Sequence, residues 1–204
     1  MKLYDAYRAP NPRRVRWVLA EKGVQDIDIV PVDLFAAEHR SGEYRDKVGL
    51  PHVPALELDD GTCISESIAI CRYLETLHPE PNLFGRDARE IATIEMWNRR
   101  VELNFYGAVA SAFRHLSPAM APSEKPQIAE WGEANKAKAL AFLAILDREL
   151  GTRAFIAGDR FTVADITALC TLDFMRAPKI ELPADMKNVT RWHADVSARP
   201  SAKA

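Results

Sequence analysis

The first 34 residues alternate strand, helix and strand, and few folds accept that order. Residues 2–7 (KLYDAY) predict a short strand, and residues 26–34 (DIDIVPVDL) predict a second one. Between them Asn11 is the expected helix N-cap, Pro12 the first helical residue and Gly23 the end of the helix. A strand–helix–strand unit of this length implies parallel strands joined by a right-handed crossover.

The next segment adds a hairpin and another helix to this unit. A polar stretch before Pro51 predicts loop and a short helix. Asp60–Gly61 lies between strand-like residues, which is a strong hairpin signal. Residues 66–77 predict an amphipathic helix that ends before His78–Pro79.

Only helices are predicted beyond a Pro-, Gly- and Asn-rich linker at residues 79–86. The four helical segments are residues 87–116, 123–150, 162–175 and 188–198. We therefore expect a small α/β domain at residues 1–78 and an all-α domain at residues 87–204.

Charge and hydropathy narrow the class of protein. The chain has 204 residues, a net charge of −2 and 48% hydrophobic residues, which is typical of a globular protein that does not bind nucleic acid. The basic cluster Arg13, Arg14 and Arg16 is interpreted as a solvated helix face. The N-terminal residues do not resemble a signal peptide, and no apolar run is long enough to span a membrane.

Cysteine use indicates a reducing compartment. Cys63, Cys71 and Cys170 form an odd, sparse set without CxxC spacing. This argues against a disulfide framework or a metal site, and we expect a cytoplasmic protein.

The segment HVPAL, residues 52–56, leaves two interpretations open. Proline cannot donate a hydrogen bond to a sheet, so Val53–Pro54 at a strand start needs an explanation. A cis bond would leave the Val53 N–H and C=O free to pair with a peptide-like ligand. An ordinary trans proline is the simpler interpretation of the sequence alone.

The segment SES at residues 65–67 opens the helix after the hairpin. A helix N-terminus has unpaired N–H groups and a positive potential, so it attracts a carboxylate. Ser67 could hold a ligand carboxylate, and Glu66 could accept from a ligand ammonium group. Simple capping by Ser65, with Glu66 complementing the helix dipole, is the alternative.

Together these motifs resemble the glutathione transferase superfamily along almost the whole chain. The segment AGDRFTVADI is similar to the family's folding motif, in which Thr162 and Asp165 cap a helix reciprocally. RWHADVSARPS looks like the family's closing helix, and the N-terminal segments look most like bacterial and fungal members related to the yeast type-two transferases. The resemblance implies a thioredoxin-like first domain, a helical second domain and a homodimer.

The resemblance also implies a glutathione site formed by six residues: His39, His52, Val53, Pro54, Glu66 and Ser67. Val53, beside a cis Pro54, would pair its backbone with the cysteine of glutathione. Glu66 and Ser67 would hold the γ-glutamyl end. His39 and His52 would lie near the glycine carboxylate.

Ala9 occupies the position where many relatives carry a serine or cysteine. A free thiol has a pKa of about 8.5, so a transferase must stabilise the thiolate in another way. Because Ala9 has no sulfur, a mixed-disulfide mechanism at that position is disfavoured. The dipole and free N–H groups of the first helix are one substitute, and the Asn11 amide is a second.

Tyr7 and the pair Ser111 and His115 are the other candidates. Tyr7 could donate its phenol, although a packed aromatic is the preferred interpretation. Ser111 and His115 are four residues apart on one helix face and could hold a water that takes the thiol proton. The yeast-type relatives are thought to use such a water, and His115 could equally complement a helix C-terminus.

The expected activity is the addition of glutathione thiolate to a hydrophobic electrophile. Glutathione is then a co-substrate, and no tightly bound cofactor, metal, nucleic acid or membrane is expected. Glutathione-dependent peroxide reduction, dehalogenation or isomerisation is an alternative. A non-catalytic binding or regulatory protein on the same fold is a third possibility.

Overall fold

A computed structural model describes residues 1–204, and the chain divides into two compact units. The first contains Met1–Asn82 together with Pro200–Ala204, and the second contains Leu83–Arg199. The last five residues therefore belong with the N-terminal unit, whereas the sequence analysis placed them in the helical domain. Arg13 donates to the Ala202 carbonyl over 3.1 Å, which attaches these residues to the first helix.

The first unit is built on a four-stranded mixed sheet with the order β2-β1-β3-β4. Its strands are β1 Lys2–Asp5, β2 Asp28–Pro31, β3 Ala55–Glu57 and β4 Cys63–Ser65. Strand β1 pairs parallel with β2 and antiparallel with β3, and β3 pairs antiparallel with β4. The predicted crossover and the Asp60–Gly61 hairpin are both confirmed, with strands shorter than expected.

Three helices complete this unit: α1 Pro10–Lys22, α2 Gly42–Val48 and α3 Ser67–Leu77. Successive residues of a strand point to opposite faces of the sheet, so Leu3 and Tyr4 lie on different sides. Leu3 is fully buried, and Tyr4 packs edge-on against Tyr44 of α2. Both faces of the sheet are therefore covered, as a thioredoxin-like fold requires.

The second unit is all-helical. Its α-helices are α4 Ala88–Arg100, α5 Gly107–Leu116, α6 Ala129–Leu150, α7 Val163–Phe174 and α8 Lys187–Ser197. A π-helical turn at Val101–Tyr106 separates α4 from α5, where the sequence predicted one long helix. Asp165 accepts from the Thr162 N–H and also from Ile156 and Trp192, so the predicted capping box is confirmed as part of the core. No helix combines the length and apolar character needed to cross a bilayer.

Candidate functional site

The N-terminus of α1 lies two residues earlier than predicted and has few hydrogen-bond donors. Ala9 is the N-cap, with φ −85° and ψ 140°, and its methyl group cannot cap the helix. Pro10 and Pro12 have no N–H, and the Arg13 N–H already bonds to the Ala9 carbonyl over 3.3 Å. The prediction that this helix offers several free N–H groups, with Asn11 as its N-cap, is therefore wrong.

Asn11 is the residue that remains able to donate at this helix end. Its backbone N–H has no acceptor inside the chain, and its side-chain amide makes no hydrogen bond there. The Oδ1 atom is buried without a partner. A buried polar atom in that state is costly unless a ligand or water pairs with it, so Asn11 has the character of a binding residue.

The loop before β3 presents an open peptide backbone. The Val53–Pro54 bond is cis, which corrects the simpler trans interpretation. No hydrogen bond inside the chain uses the N–H or C=O of Val53. Pro54 is buried and Val53 is half-buried, so one donor and one acceptor are available at a fixed position beside the sheet.

His39 and His52 come together beside this loop. The pKa of His39 is lowered mainly by burial, with further contributions from the charges of Arg40 and His52. The His39 Nδ1 atom is buried without a hydrogen-bond partner, whereas His52 is exposed. The two histidines are therefore close enough for their charges to interact.

The N-terminus of α3 differs from that of α1 because its donors are intact. The N–H groups of Ser67, Ile68 and Ala69 have no acceptor in the chain, and the first bonded group is that of Ile70, to the Glu66 carbonyl over 3.0 Å. Glu66 is the N-cap, yet no side chain caps the helix. Capping by Ser65 is therefore wrong, and the open N–H groups with their positive potential can donate to a carboxylate.

The backbone of Glu66 is unusual. Its φ of 68° and ψ of 115° are rare for a residue with a side chain, and such conformations cluster at functional sites. The Glu66 side chain is exposed, whereas Ser67 is buried. Glu66 is thus free to meet a ligand ammonium group next to the carboxylate-binding end of α3.

Arg14 is a site residue that the sequence analysis misinterpreted as solvated. It is 0% exposed, and its Nη1 lies 3.4 Å from the Ser67 Oγ as a hydrogen-bond donor. A guanidinium beneath the N-terminus of α3 adds to the positive potential there. The signal was its position three and four residues before the buried Trp17 and Val18, which is the inward face of an amphipathic helix.

Arg16 and Tyr7 also differ from their predicted environment. The Arg16 Nη1 lies 2.5 Å from the buried Asp5 carboxylate, and its Nη2 donates to the Tyr7 carbonyl over 2.9 Å. The Tyr7 ring is 71% exposed and lies under this guanidinium, so it is not a packed core aromatic. Arg16 thus fixes the loop between β1 and α1 that contains Ala9.

In the second unit, Ser111 and His115 both lie on α5, but His115 already has partners. Its Nδ1 accepts from the Ile128 N–H over 3.1 Å, and its Nε2 is 3.7 Å from the Glu124 carboxylate. Ser111 is half-buried, and its hydroxyl makes no hydrogen bond inside the chain. His115 therefore joins the α5–α6 connection, and any role as a base requires it to exchange one of these contacts.

No group of three His, Cys, Asp or Glu side chains in the chain is placed to hold a metal ion. Cys63, Cys71 and Cys170 are free thiols. The groups open to a ligand in the first unit are instead a peptide edge at Val53, three donors on α3 and the amide of Asn11.

A thioredoxin-like unit with a cis-proline peptide edge and an open helix N-terminus defines a class of protein that binds thiol-containing peptides. Comparison with known families identifies the family within this class. A family model described as "Glutathione S-transferase, N-terminal domain" matches residues 3–82. A second model, "Glutathione S-transferase, C-terminal domain", matches residues 110–200. The chain belongs to the glutathione S-transferase family, and it is an enzyme of that family.

Individual relatives are similar to this chain in sequence and structure over nearly its full length. The chain is 37% identical to "Glutathione S-transferase 2" of Saccharomyces cerevisiae, covering 100% of this chain and 88% of the relative. A crystal structure of Gtt2 from the same yeast superimposes with a TM-score of 0.95 and covers 100% of this chain and 99% of that one. A glutathione S-transferase domain-containing protein of Marinobacter aquaeolei also has a TM-score of 0.95, with 43% identity, covering 98% and 99% of the two chains. The predicted family and its fold are confirmed.

Proposed function

We propose that the protein binds glutathione through its first unit and adds the glutathione thiolate to hydrophobic electrophiles. The observation that carries the proposal is the row of unpaired N–H groups at the start of α3, together with the free peptide groups of Val53. A tripeptide with a carboxylate at one end matches both features. The family assignment supports the same ligand.

In this proposal each part of glutathione has its own partner. The γ-glutamyl carboxylate binds Ser67 at the N-terminus of α3, and its ammonium group binds Glu66. The cysteine backbone pairs with Val53 beside cis Pro54. The glycine carboxylate lies near His39 and His52, where two imidazoles supply positive charge when protonated.

Asn11 is the proposed stabiliser of the thiolate. A drop of about two units in thiol pKa needs roughly 2.7 kcal/mol of differential stabilisation. Two donors from one residue, the Asn11 N–H and its side-chain amide, can supply a large part of that energy, since hydrogen bonds to charged groups contribute about 1.5–3 kcal/mol. The half-positive end of α1 adds to this effect.

Ser111 and His115 are proposed as a second aid to thiol ionisation, through a bound water. Ser111→Ala and His115→Ala should each slow conjugation and leave glutathione affinity nearly unchanged. Because His115 also accepts from the Ile128 N–H, its variant should in addition lower the melting temperature. Full turnover in both variants would show that the second unit takes no part in thiol ionisation.

Calorimetric titration with glutathione tests the proposal when it is combined with the pH dependence of thiolate absorbance in the complex. Binding with a thiol pKa well below that of free glutathione supports a transferase. Binding with an unshifted pKa points to another glutathione-dependent reaction, such as peroxide reduction, dehalogenation or isomerisation. Absence of binding would contradict the proposal and favour a non-catalytic protein on this fold. We further propose that the protein is cytoplasmic and forms a homodimer. Sedimentation of the purified protein tests the dimer, and fractionation of cells tests the compartment.

A further inference from the structure

The peptide group between His52 and Val53 is held from one side by a buried tyrosine. Tyr44 of α2 is 8% exposed, and its phenol donates to the His52 carbonyl over 2.7 Å. Its ring packs edge-on against Tyr4, with ring centroids 5.7 Å apart. Burial raises the pKa of Tyr44 to about 12, so the phenol keeps its proton under ordinary conditions.

This hydrogen bond is one of two in the chain that involve the backbone of His52. The other joins the His52 N–H to the Leu50 carbonyl over 2.8 Å. The bond between the Tyr44 phenol and the His52 carbonyl is partly buried and joins residues eight positions apart in the chain. Its effect is therefore on the orientation of the loop that connects α2 to the cis-proline.

Planarity of the peptide bond links this contact to the ligand-facing side. The cis bonds of the chain do not include His52–Val53, so its C=O and N–H point in opposite directions. When Tyr44 fixes the carbonyl on one side, the Val53 N–H is directed to the other. Donation to the carbonyl also polarises the amide and strengthens its N–H as a donor.

We propose that Tyr44 is a positioning residue that orients the Val53 N–H toward the cysteine backbone of glutathione by holding the His52 carbonyl. This inference rests on the proposed function, because it takes glutathione as the peptide ligand. Tyr44 does not touch the ligand, and its action is transmitted through one peptide plane.

Tyr44→Phe tests the inference because it removes the hydroxyl and keeps the ring. Tyr4→Phe is the matched control, since it deletes the hydroxyl of the ring packed against Tyr44 and leaves the Tyr44–His52 bond in place. For Tyr44→Phe we expect the KM for glutathione to rise about fivefold, the effect of one net hydrogen bond, with kcat at saturating glutathione within about twofold of the parent. Tyr4→Phe should retain the parental KM.

A second readout needs no ligand. The NMR order parameter of the Val53 amide, measured by nitrogen relaxation in the free protein, should fall in Tyr44→Phe because the peptide plane is released. Tyr4→Phe should leave that order parameter unchanged. A purely structural role for Tyr44 would lower the melting temperature without this selective change.

The two readouts separate the possible failures. A parental Val53 order parameter in Tyr44→Phe would overturn the inference, as would a parental KM or an equal rise of KM in both variants. If the parental protein itself does not bind glutathione, the proposed function fails. The Val53 order parameter in Tyr44→Phe then decides alone whether the phenol orients the peptide.

Discussion

Two helices of the first unit, α1 and α3, begin in opposite ways. At the N-terminus of α3, three consecutive N–H groups are unpaired and a serine hydroxyl stands among them. At the N-terminus of α1, two prolines and an internal bond remove the donors on either side of Asn11. The macrodipole is present in both helices, but only α3 offers a row of donors to a ligand.

This difference matches the two anions that the site has to hold. A carboxylate has two oxygens and binds well to several adjacent N–H groups. A thiolate is a single large atom, for which one well-placed residue is sufficient. Arg14 of α1 reaches Ser67 of α3, so the two helix ends are also joined by a buried cation. In the proposed function, α3 therefore binds the carboxylate and the N-terminus of α1 activates the thiol.

The largest effect is expected when Asn11 is changed to aspartate. A carboxylate near the thiolate would raise the thiol pKa by about one to two units, so turnover below neutral pH should fall about 10- to 100-fold. The measurement is the pH profile of kcat/KM. Ala20→Asp is the control, since it adds the same charge at an exposed position near the other end of α1. An unchanged profile in Asn11→Asp would remove Asn11 from thiol activation.

A smaller effect is expected when Ser67 at the N-terminus of α3 is changed, and it should appear in the affinity for glutathione. Ser67→Ala removes the hydroxyl from the carboxylate site and the acceptor of Arg14. The KM for glutathione should rise about tenfold while kcat at saturation is retained, because the lost interaction is the same in ground state and transition state. Ser65→Ala, one residue before the N-cap, should behave like the parent. A fall in kcat with constant KM would contradict the division of roles between the two helices.

The pattern of elements could be predicted from the sequence, but the state of their ends could not. The Asp60–Gly61 turn and the Thr162–Asp165 box are local signals, and each is confirmed. Hydrophobic periodicity identified the helical segments but missed the π-helical turn at Val101–Tyr106. The start of α1 was misplaced because Asn11 and Pro12 are good capping signals, while the true N-cap, Ala9, has no capping side chain. Which N–H groups stay unpaired depends on backbone geometry that no residue type encodes.

The burial of charged side chains is the second feature that could not be predicted from the sequence. Arg14 was interpreted as solvated because arginine is rarely fully buried without a partner, and its partner Ser67 is 53 residues away in the chain. The environment of Tyr7 was missed for a related reason, since its contact with Arg16 arises where β1 turns into α1. Such contacts between residues from different elements appear only when the fold is known.

A third effect, of about fivefold in ligand affinity, distinguishes the pair His39 and His52 from the N-terminus of α3. Helix N–H groups do not titrate, whereas the His39 pKa is lowered in the free protein by burial and by Arg40 and His52. A ligand carboxylate would raise that pKa, so binding takes up a proton and affinity falls as pH rises through the range between the free and bound values. S-methylglutathione, which has no thiol, should therefore bind about fivefold more tightly at pH 5.5 than at pH 7.5.

Calorimetry in two buffers of different ionisation enthalpy measures this proton uptake directly. His39→Gln should reduce the uptake and weaken the pH dependence. His78→Gln, at the end of α3, should leave both unchanged. Equal proton uptake in His39→Gln and the parent would assign the pH dependence to another group.

The smallest effect on the thiol pKa is expected when the N-terminus of α1 is given an additional N–H group, as α3 has. Pro12→Ala restores one N–H to the first turn of α1 and adds a donor near Asn11. The thiol pKa in the complex should fall by a few tenths, and turnover at pH 6 should rise about twofold, since one added helix N–H contributes well under 1 kcal/mol. Loss of the proline should lower the free energy of unfolding by about 0.4–1 kcal/mol, because the unfolded chain gains freedom.

The absorbance titration of bound thiolate measures the pKa, and urea unfolding measures the stability. A lower stability with an unchanged thiol pKa would show that the Asn11 side chain, and not the backbone potential of α1, activates the thiol.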